Sequence, residues 1–170
     1  MSVRRSSDGT GWWAAKVRQF ATHLHPRERP TERRELDAWL SPAQQELFAS
    51  MHPADRRHGL DVVRRLRTEG WVEGDVLLAG LFHDAGKGRT GLWPRVAWSL
   101  ADRYGSLPRR AAALLPGFRA ALDRLDRHPE ASAELALQAG CPARTADLIR
   151  HQAAPADAAG EALHRADEAS

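Results

Sequence analysis

The sequence predicts an all-α fold, and three observations support that prediction. Apolar residues recur at the spacing of amphipathic helices in successive segments. No segment alternates apolar and polar residues over the length of a strand. Prolines and glycines stand where such helices would begin and end. A chain of 170 residues suffices for one domain with a hydrophobic core, so we expect a single helical bundle.

The sequence before residue 53 predicts a tail and a helical preamble. Residues 1–10 are small, polar and charged, which is typical of a disordered tail. Residues 11–52 are expected to form short helices that pack on the core. Thr31 can cap a helix that runs to Leu40, and the capping box Ser41-Pro42-Ala43-Gln44 opens the next one. Three tryptophans of the preamble are expected to pack on the core rather than on another chain: Trp12, Trp13 and Trp39.

Residues 53–170 are predicted to form the main body of the bundle. A long helix spans residues 53–68 and stops at Gly70, because glycine ends helices readily. The segment 76–82 is apolar all round, which places it at the centre of the core. Further helices are expected over residues 94–104, 117–127 and 128–140, from Pro142 until Pro155 interrupts the pattern, and around Leu163.

Composition narrows the class of protein. The net charge is +3, but the basic residues are spread along the chain among acidic ones, so a nucleic-acid partner is not expected. The single cysteine, Cys141, excludes an internal disulfide and argues against a zinc site built on thiolates. The sequence shows neither a signal-peptide pattern nor an apolar stretch of membrane-spanning length. We therefore expect a cytoplasmic protein without a membrane partner.

The dipeptide His83-Asp84 is the strongest indication of chemistry. It closes the apolar helix and opens a turn with two glycines, so an imidazole and a carboxylate lie where a buried helix meets solvent. Histidines and carboxylates near helix ends or inward faces form closed nitrogen and oxygen sites for divalent transition metals. Six residues share that placement and are the candidate metal ligands: His58, His83, Asp84, His128, His151 and Asp167. The other histidines are predicted to be ordinary surface residues: His23, His25, His52 and His164.

This pattern resembles the HD-domain metal-dependent phosphohydrolase superfamily over roughly residues 54–168. The segments that match are Arg57-His58-Gly59-Leu60-Asp61-Val62, residues 81–87, His128-Pro129-Glu130, Leu148-Ile149-Arg150-His151 and Ala166-Asp167. The resemblance implies an HD-domain helical bundle over residues 53–170. It implies a first metal ion bound by His58, His83, Asp84 and Asp167. It also implies a second ion, as in the binuclear members, bound by Asp84, His128 and His151.

Lys87 follows Asp84 by three residues and matches the His-Asp-x-x-Lys signature of many binuclear members. Only two lysines occur among the 25 basic residues, so a lysine in this turn suggests that a compact charge is needed there. The resemblance implies catalytic roles for Asp84 and Lys87 and a contact between Lys87 and a substrate phosphate. Arg57 is a weaker candidate for substrate binding. After His151 the chain has Gln152 instead of a second histidine and lacks a Gly-Tyr-Pro motif, which disfavours cyclic-di-GMP cleavage and leaves occupancy of the second metal position open.

The leading functional prediction is a phosphohydrolase or phosphodiesterase that uses a metal-activated hydroxide. Its expected partner is a small phosphorylated substrate, a nucleotide or dinucleotide. The expected cofactor is one or two divalent transition metal ions, with iron, manganese, cobalt, nickel and zinc all compatible with the ligand set. Two alternatives remain open: a di-iron oxygenase with the same ligand frame, and a non-catalytic module that senses nucleotides.

Overall fold

The computed structural model of the protein describes residues 30–88 and 118–170. Across these two ranges the fold is all-α without a strand, which confirms the predicted fold class. The α-helices of these ranges are α1 (Pro30–Trp39), α2 (Pro42–Ser50), α3 (Pro53–Thr68), α4 (Gly74–Phe82), α5 (Phe118–Asp126), α6 (His128–Gln138), α7 (Ala143–Arg150) and α8 (Ala158–Glu168), and a 3₁₀ turn spans Ala85–Lys87. The predicted tail, Trp12, Trp13 and the helix expected over residues 94–104 lie outside the described residues.

Local sequence signals fix the ends of several helices. The predicted capping box opens α2, because the Gln44 backbone N–H donates to Ser41 Oγ at 3.3 Å and the Ser41 N–H donates to Gln44 Oε1 at 2.9 Å. His52 caps α3 by accepting from the Ala54 N–H at 3.2 Å through Nδ1. Gly70, at φ 93°, follows the end of α3 in the left-handed conformation that favours glycine. His52 is therefore a helix cap rather than an ordinary surface residue.

Helix α4 is the centre of the described core. Every residue from Val76 to Phe82 is buried, as the apolar sequence predicted. The helix packs against α3, α7 and α8. The crossing with α3 is close because a Cβ placed on Gly59 would lie 2.5 Å from the Leu81 carbonyl oxygen. This close crossing brings the residue before Gly59, His58, next to the end of α4.

The turn after α4 packs on the first turns of α6. The Gly86 N–H donates to Ser132 Oγ at 2.8 Å, and Ser132 is fully buried. A Cβ on Gly86 would lie 2.6 Å from the His128 carbonyl oxygen, so a larger residue would push the turn away from α6. Asp84, which precedes the turn, is consequently held beside the start of α6.

Trp39 connects the helical preamble to the core of the described fold. Trp39, at the end of α1, is partly buried against the core, as predicted for this tryptophan. The Arg67 guanidinium lies 5.7 Å from the centre of its ring, within the range of a cation–π contact. Within residues 30–88 and 118–170, every helix is too short or too polar to cross a bilayer.

Candidate metal centre

His83 is the most buried imidazole of the site, with a side chain 1% exposed. Its Nδ1 lies 3.0 Å from the Gly80 carbonyl oxygen, which can only accept, so Nδ1 carries a proton. The other ring nitrogen, Nε2, is buried without a hydrogen-bond partner in the part of the chain that the structure describes. It faces carboxylate oxygens of Asp84 and Asp167 at 3.5 and 3.4 Å. A buried ring nitrogen beside two carboxylates is the arrangement that a cation would complete.

The charges around His83 favour a cation at this position. Burial alone would lower the pKa of His83, but Asp84 and Asp167 together raise it to about 9, so in the metal-free protein a proton occupies Nε2 at neutral pH and a metal ion would displace it. Burial likewise opposes ionisation of both acids, yet the positively charged groups beside them lower the pKa of Asp84 and of Asp167 below the ordinary value. Both carboxylates are therefore ionised and attract a positive ion at neutral pH.

His58 and Asp167 extend the cluster from two further helices. His58, on α3, places Nε2 2.7 Å from Asp167 Oδ1, and Asp167 lies near the end of α8. The rings of His58 and His83 meet edge to face with their centroids 5.2 Å apart. Asp167 Oδ1 thus contacts the same ring nitrogen, Nε2, of both histidines. The late aspartate, which looks like a solvated terminal residue in sequence, belongs to the cluster.

Asp84 stands between two groups of side chains and is 3% exposed. Its Oδ2 accepts a hydrogen bond from Lys87 Nζ at 2.6 Å. Its Oδ1 lies 3.5 Å from His83 Nε2 and 3.6 Å from His128 Nε2. The one oxygen that is turned away from Lys87 therefore faces an imidazole on each side.

His128, the first residue of α6, is oriented in the same way as His83. Its Nδ1 donates to the Leu125 carbonyl, so the Nε2 lone pair is directed towards Asp84. Burial and the nearby Lys87 ammonium lower the pKa of His128, which favours the neutral ring that metal binding requires. Lys87 itself keeps its charge, because Asp84 and Asp167 raise its pKa in spite of burial.

The donor set fits a divalent transition metal ion. His58, His83 and Asp84 each offer one ligand atom, and these atoms lie within 4.8 Å of one another. Two imidazole nitrogens and a carboxylate oxygen suit manganese, iron, cobalt, nickel and zinc. The buried Nε2 of His83 without a hydrogen-bond partner is the observation that a bound cation would explain. The described residues could therefore hold one ion at this position.

The structure does not bring His151 to the cluster. Its side chain is 56% exposed, and Nδ1 donates to the Asp147 carbonyl at 3.0 Å. The reason is helical register: His151 lies four residues after the exposed Asp147, whereas Gln152 lies three after the buried Ile149. Gln152 points inward and places Nε2 3.5 Å from His128 Nε2. The assignment of His151 as a ligand is therefore corrected, and the spacing of Gln152 from the buried residues of α7 was the signal that could have identified it.

Arg57 is also placed away from the role predicted for it. Its guanidinium binds Glu32 at 2.6 Å and Asp61 at 2.8 Å, and the residue is 8% exposed. It ties α1 to α3, and burial is outweighed by the two carboxylates, which raise its pKa. The prediction that Arg57 binds substrate is therefore corrected: the residue forms a structural ion pair.

The other histidines predicted to be surface residues fall into two groups. His164 is a surface residue, as predicted, with Nε2 3.6 Å from Glu168. His23 and His25 lie outside the described residues.

No family model, no curated protein and no solved structure matches the chain.

Proposed function

We propose that the protein is a metal-dependent phosphohydrolase of the HD-domain type that acts on a nucleotide or dinucleotide. The observation that carries the proposal is the buried Nε2 of His83, without a hydrogen-bond partner among the described residues and faced by two ionised carboxylates. His58 lies beside it on α3. The order of these residues along the chain also resembles that of the HD-domain superfamily, and this supports the choice of reaction.

The proposed first ion is held by His58, His83, Asp84 and Asp167. When bound, such an ion polarises phosphoryl oxygens and makes a water molecule acidic enough to act as a nucleophile near neutral pH. The chain's own contribution is positioning. The Gly80 carbonyl accepts the Nδ1 proton of His83, so Nε2 is the ring nitrogen that an ion would bind once it displaces the proton held there. The close crossing at Gly59 keeps the ring of His58 against that of His83.

Lys87 is the proposed phosphate-binding group. Its side chain is 20% exposed, so the ammonium lies at the edge of the buried cluster, where a phosphate can approach it. Asp84 holds Nζ at 2.6 Å and so orients the charge. A fixed ammonium stabilises the negative charge that develops on phosphoryl oxygens during ester cleavage. Asp84 thereby has two tasks, as metal ligand and as the residue that positions Lys87.

The test is metal analysis joined to turnover. The 170-residue protein is purified anaerobically beside His83→Ala and His164→Ala, and ions per chain are measured by elemental analysis. Each protein is then assayed for hydrolysis of a phosphodiester and of dinucleotides with each metal restored. We expect the wild type and His164→Ala, the matched surface control, to bind metal and hydrolyse substrate, and His83→Ala to lose both.

Three results would overturn the proposal. A wild-type protein that binds no divalent transition metal would remove its basis. A metal-loaded protein that consumes dioxygen but cleaves no phosphate ester would make the oxygenase the better assignment. Tight nucleotide binding without turnover in the loaded protein would favour the sensing module instead.

A further inference from the structure

Arg124, an exposed residue of α5, lies beside the turn that carries Lys87. A Cβ built on Gly88, the residue after Lys87, would lie 3.7 Å from Arg124 Cδ, so the aliphatic part of this side chain contacts the end of the turn. Helix α5 is itself joined to the candidate metal centre, because the Leu125 carbonyl accepts from His128 Nδ1. Arg124 is therefore a second basic side chain at the edge of the cluster, in addition to Lys87.

The guanidinium of Arg124 has no acidic partner in residues 30–88 and 118–170. Several other arginines of these ranges contact a carboxylate: Arg57, Arg64, Arg67, Arg144 and Arg165. The helical surface explains the difference, because none of the residues three and four positions from Arg124 is acidic: Ala120, Ala121, Arg127 and His128. A guanidinium in these surroundings is available to an external anion.

The charges of Lys87 and Arg124 follow one another from the interior towards solvent. Lys87 directs Nζ inward to Asp84 Oδ2 at 2.6 Å, and its side chain is 20% exposed. Arg124 contacts the same turn from its exposed side. A chain of linked phosphates that begins at Lys87 and leads out to solvent would therefore pass Arg124, whereas a single phosphate on Lys87 would stay inside it. The planar fork of a guanidinium binds pairs of phosphate oxygens.

We propose that Arg124 is a specificity-determining residue that binds the second phosphate of a substrate with linked phosphates. The preferred substrate class is then a nucleotide with a diphosphate or longer chain rather than a simple monoester or diester. The inference rests on the proposed function, because it takes Lys87 as the contact of the phosphate that is cleaved. Arg124 adds binding energy away from that phosphate, so its contribution depends on whether the substrate carries a second one.

The experiment compares two ligands that resist hydrolysis, methylphosphonate and methylenediphosphonate, which offer one anionic group and two linked ones. Their affinities for the metal-loaded 170-residue protein are measured by isothermal calorimetry, with the same metal concentration for every variant so that chelation by the ligand cancels. Arg124→Met keeps the aliphatic contact with Gly88 and removes the charge. Arg124→Lys restores the charge without the fork. Arg119→Met is the matched control, because Arg119 is an exposed arginine on another face of α5.

We expect Arg124→Met to weaken the binding of methylenediphosphonate by about 10-fold and to leave that of methylphosphonate unchanged. Arg124→Lys should recover part of this loss. Arg119→Met should bind both ligands as the wild type does. Far-ultraviolet circular dichroism checks that each variant is folded.

Three results would overturn the assignment of Arg124. Unchanged binding of methylenediphosphonate in Arg124→Met would remove the contact. Equal weakening of both ligands would place Arg124 on the same phosphate as Lys87. An equal loss in Arg119→Met would indicate a general effect of surface charge. Each of these leaves the proposed function standing if the metal-loaded wild type hydrolyses a phosphate ester. A selective loss in Arg124→Met without any hydrolysis by the wild type would instead refute the proposed function and retain Arg124 as a ligand contact.

Discussion

Gly59→Ala is expected to destabilise the protein by disturbing the crossing of α3 and α4. The added Cβ would lie 2.5 Å from the Leu81 carbonyl oxygen and 3.3 Å from its carbonyl carbon. Both atoms belong to the backbone, so no side-chain rotation relieves the overlap, and the cost is at the upper end of overpacking, about 3 kcal/mol. Alanine regains ~1 kcal/mol of helix propensity. The net loss is about 2 kcal/mol, or a fall of roughly 4–8 °C in Tm for a chain of this length.

The same substitution should weaken metal binding, since the helices must separate and His58 moves with α3. We expect the affinity for the proposed first ion, which His58 helps to hold, to fall by roughly 10-fold. Thermal and urea unfolding measure the stability of the metal-free protein, and calorimetry measures the affinity. Gly74→Ala is the matched control, because a Cβ there meets nothing within 4 Å among the described residues. If Gly59→Ala unfolds like Gly74→Ala and binds metal with wild-type affinity, the packing argument is wrong.

Three further predictions concern the surroundings of the site. Ser132→Ala leaves the buried Gly86 N–H without its acceptor at 2.8 Å, so we expect a loss of ~1–3 kcal/mol in urea unfolding, and an unchanged midpoint would contradict this. Arg57→Met removes the ion pair with Glu32 at 2.6 Å and should cost ~2 kcal/mol while metal affinity and substrate KM stay the same; a rise in KM alone would restore Arg57 as a substrate ligand. Because the pKa of His83 is raised from 6.5 to about 9, its contribution to the stability of the metal-free protein is complete below pH 6.5 and is lost as the pH rises through 9. The Tm measured in chelator should fall over that window, and a flat profile would speak against the raised pKa.

Much of the fold could be predicted because its signals are local. The apolar run that ends at Phe82 marks a buried helix whatever its neighbours are, and the capping box at Ser41 fixes a helix start within four residues. The pair His83-Asp84 was identifiable for the same reason, since it follows that helix directly. Local signals of this kind need no knowledge of tertiary contacts.

The inward or outward direction of single side chains was harder to predict. His151 and Gln152 are neighbours, and about 100° of helical rotation decides which of them meets His128. Arg57 adjoins a candidate ligand in sequence, but its partner Glu32 lies 25 residues earlier and is not identifiable without the packing of α1 on α3. Tertiary contacts decided both cases. The sequence therefore led to the assignment of His151 as a metal ligand and of Arg57 as a substrate ligand, and the structure places neither side chain in that role.

Both imidazoles that flank Asp84 are anchored by carbonyl groups of the last helical turn before them. Gly80 belongs to the end of α4 and holds His83, and Leu125 belongs to the end of α5 and holds His128. Carbonyls of a last turn have no partner within their own helix. The length of α4 and the orientation of the His83 ring are therefore coupled: a substitution that extends α4 by one turn would make a backbone N–H compete with the ring for the Gly80 carbonyl. Variants in which α4 is lengthened should therefore be screened for ion retention.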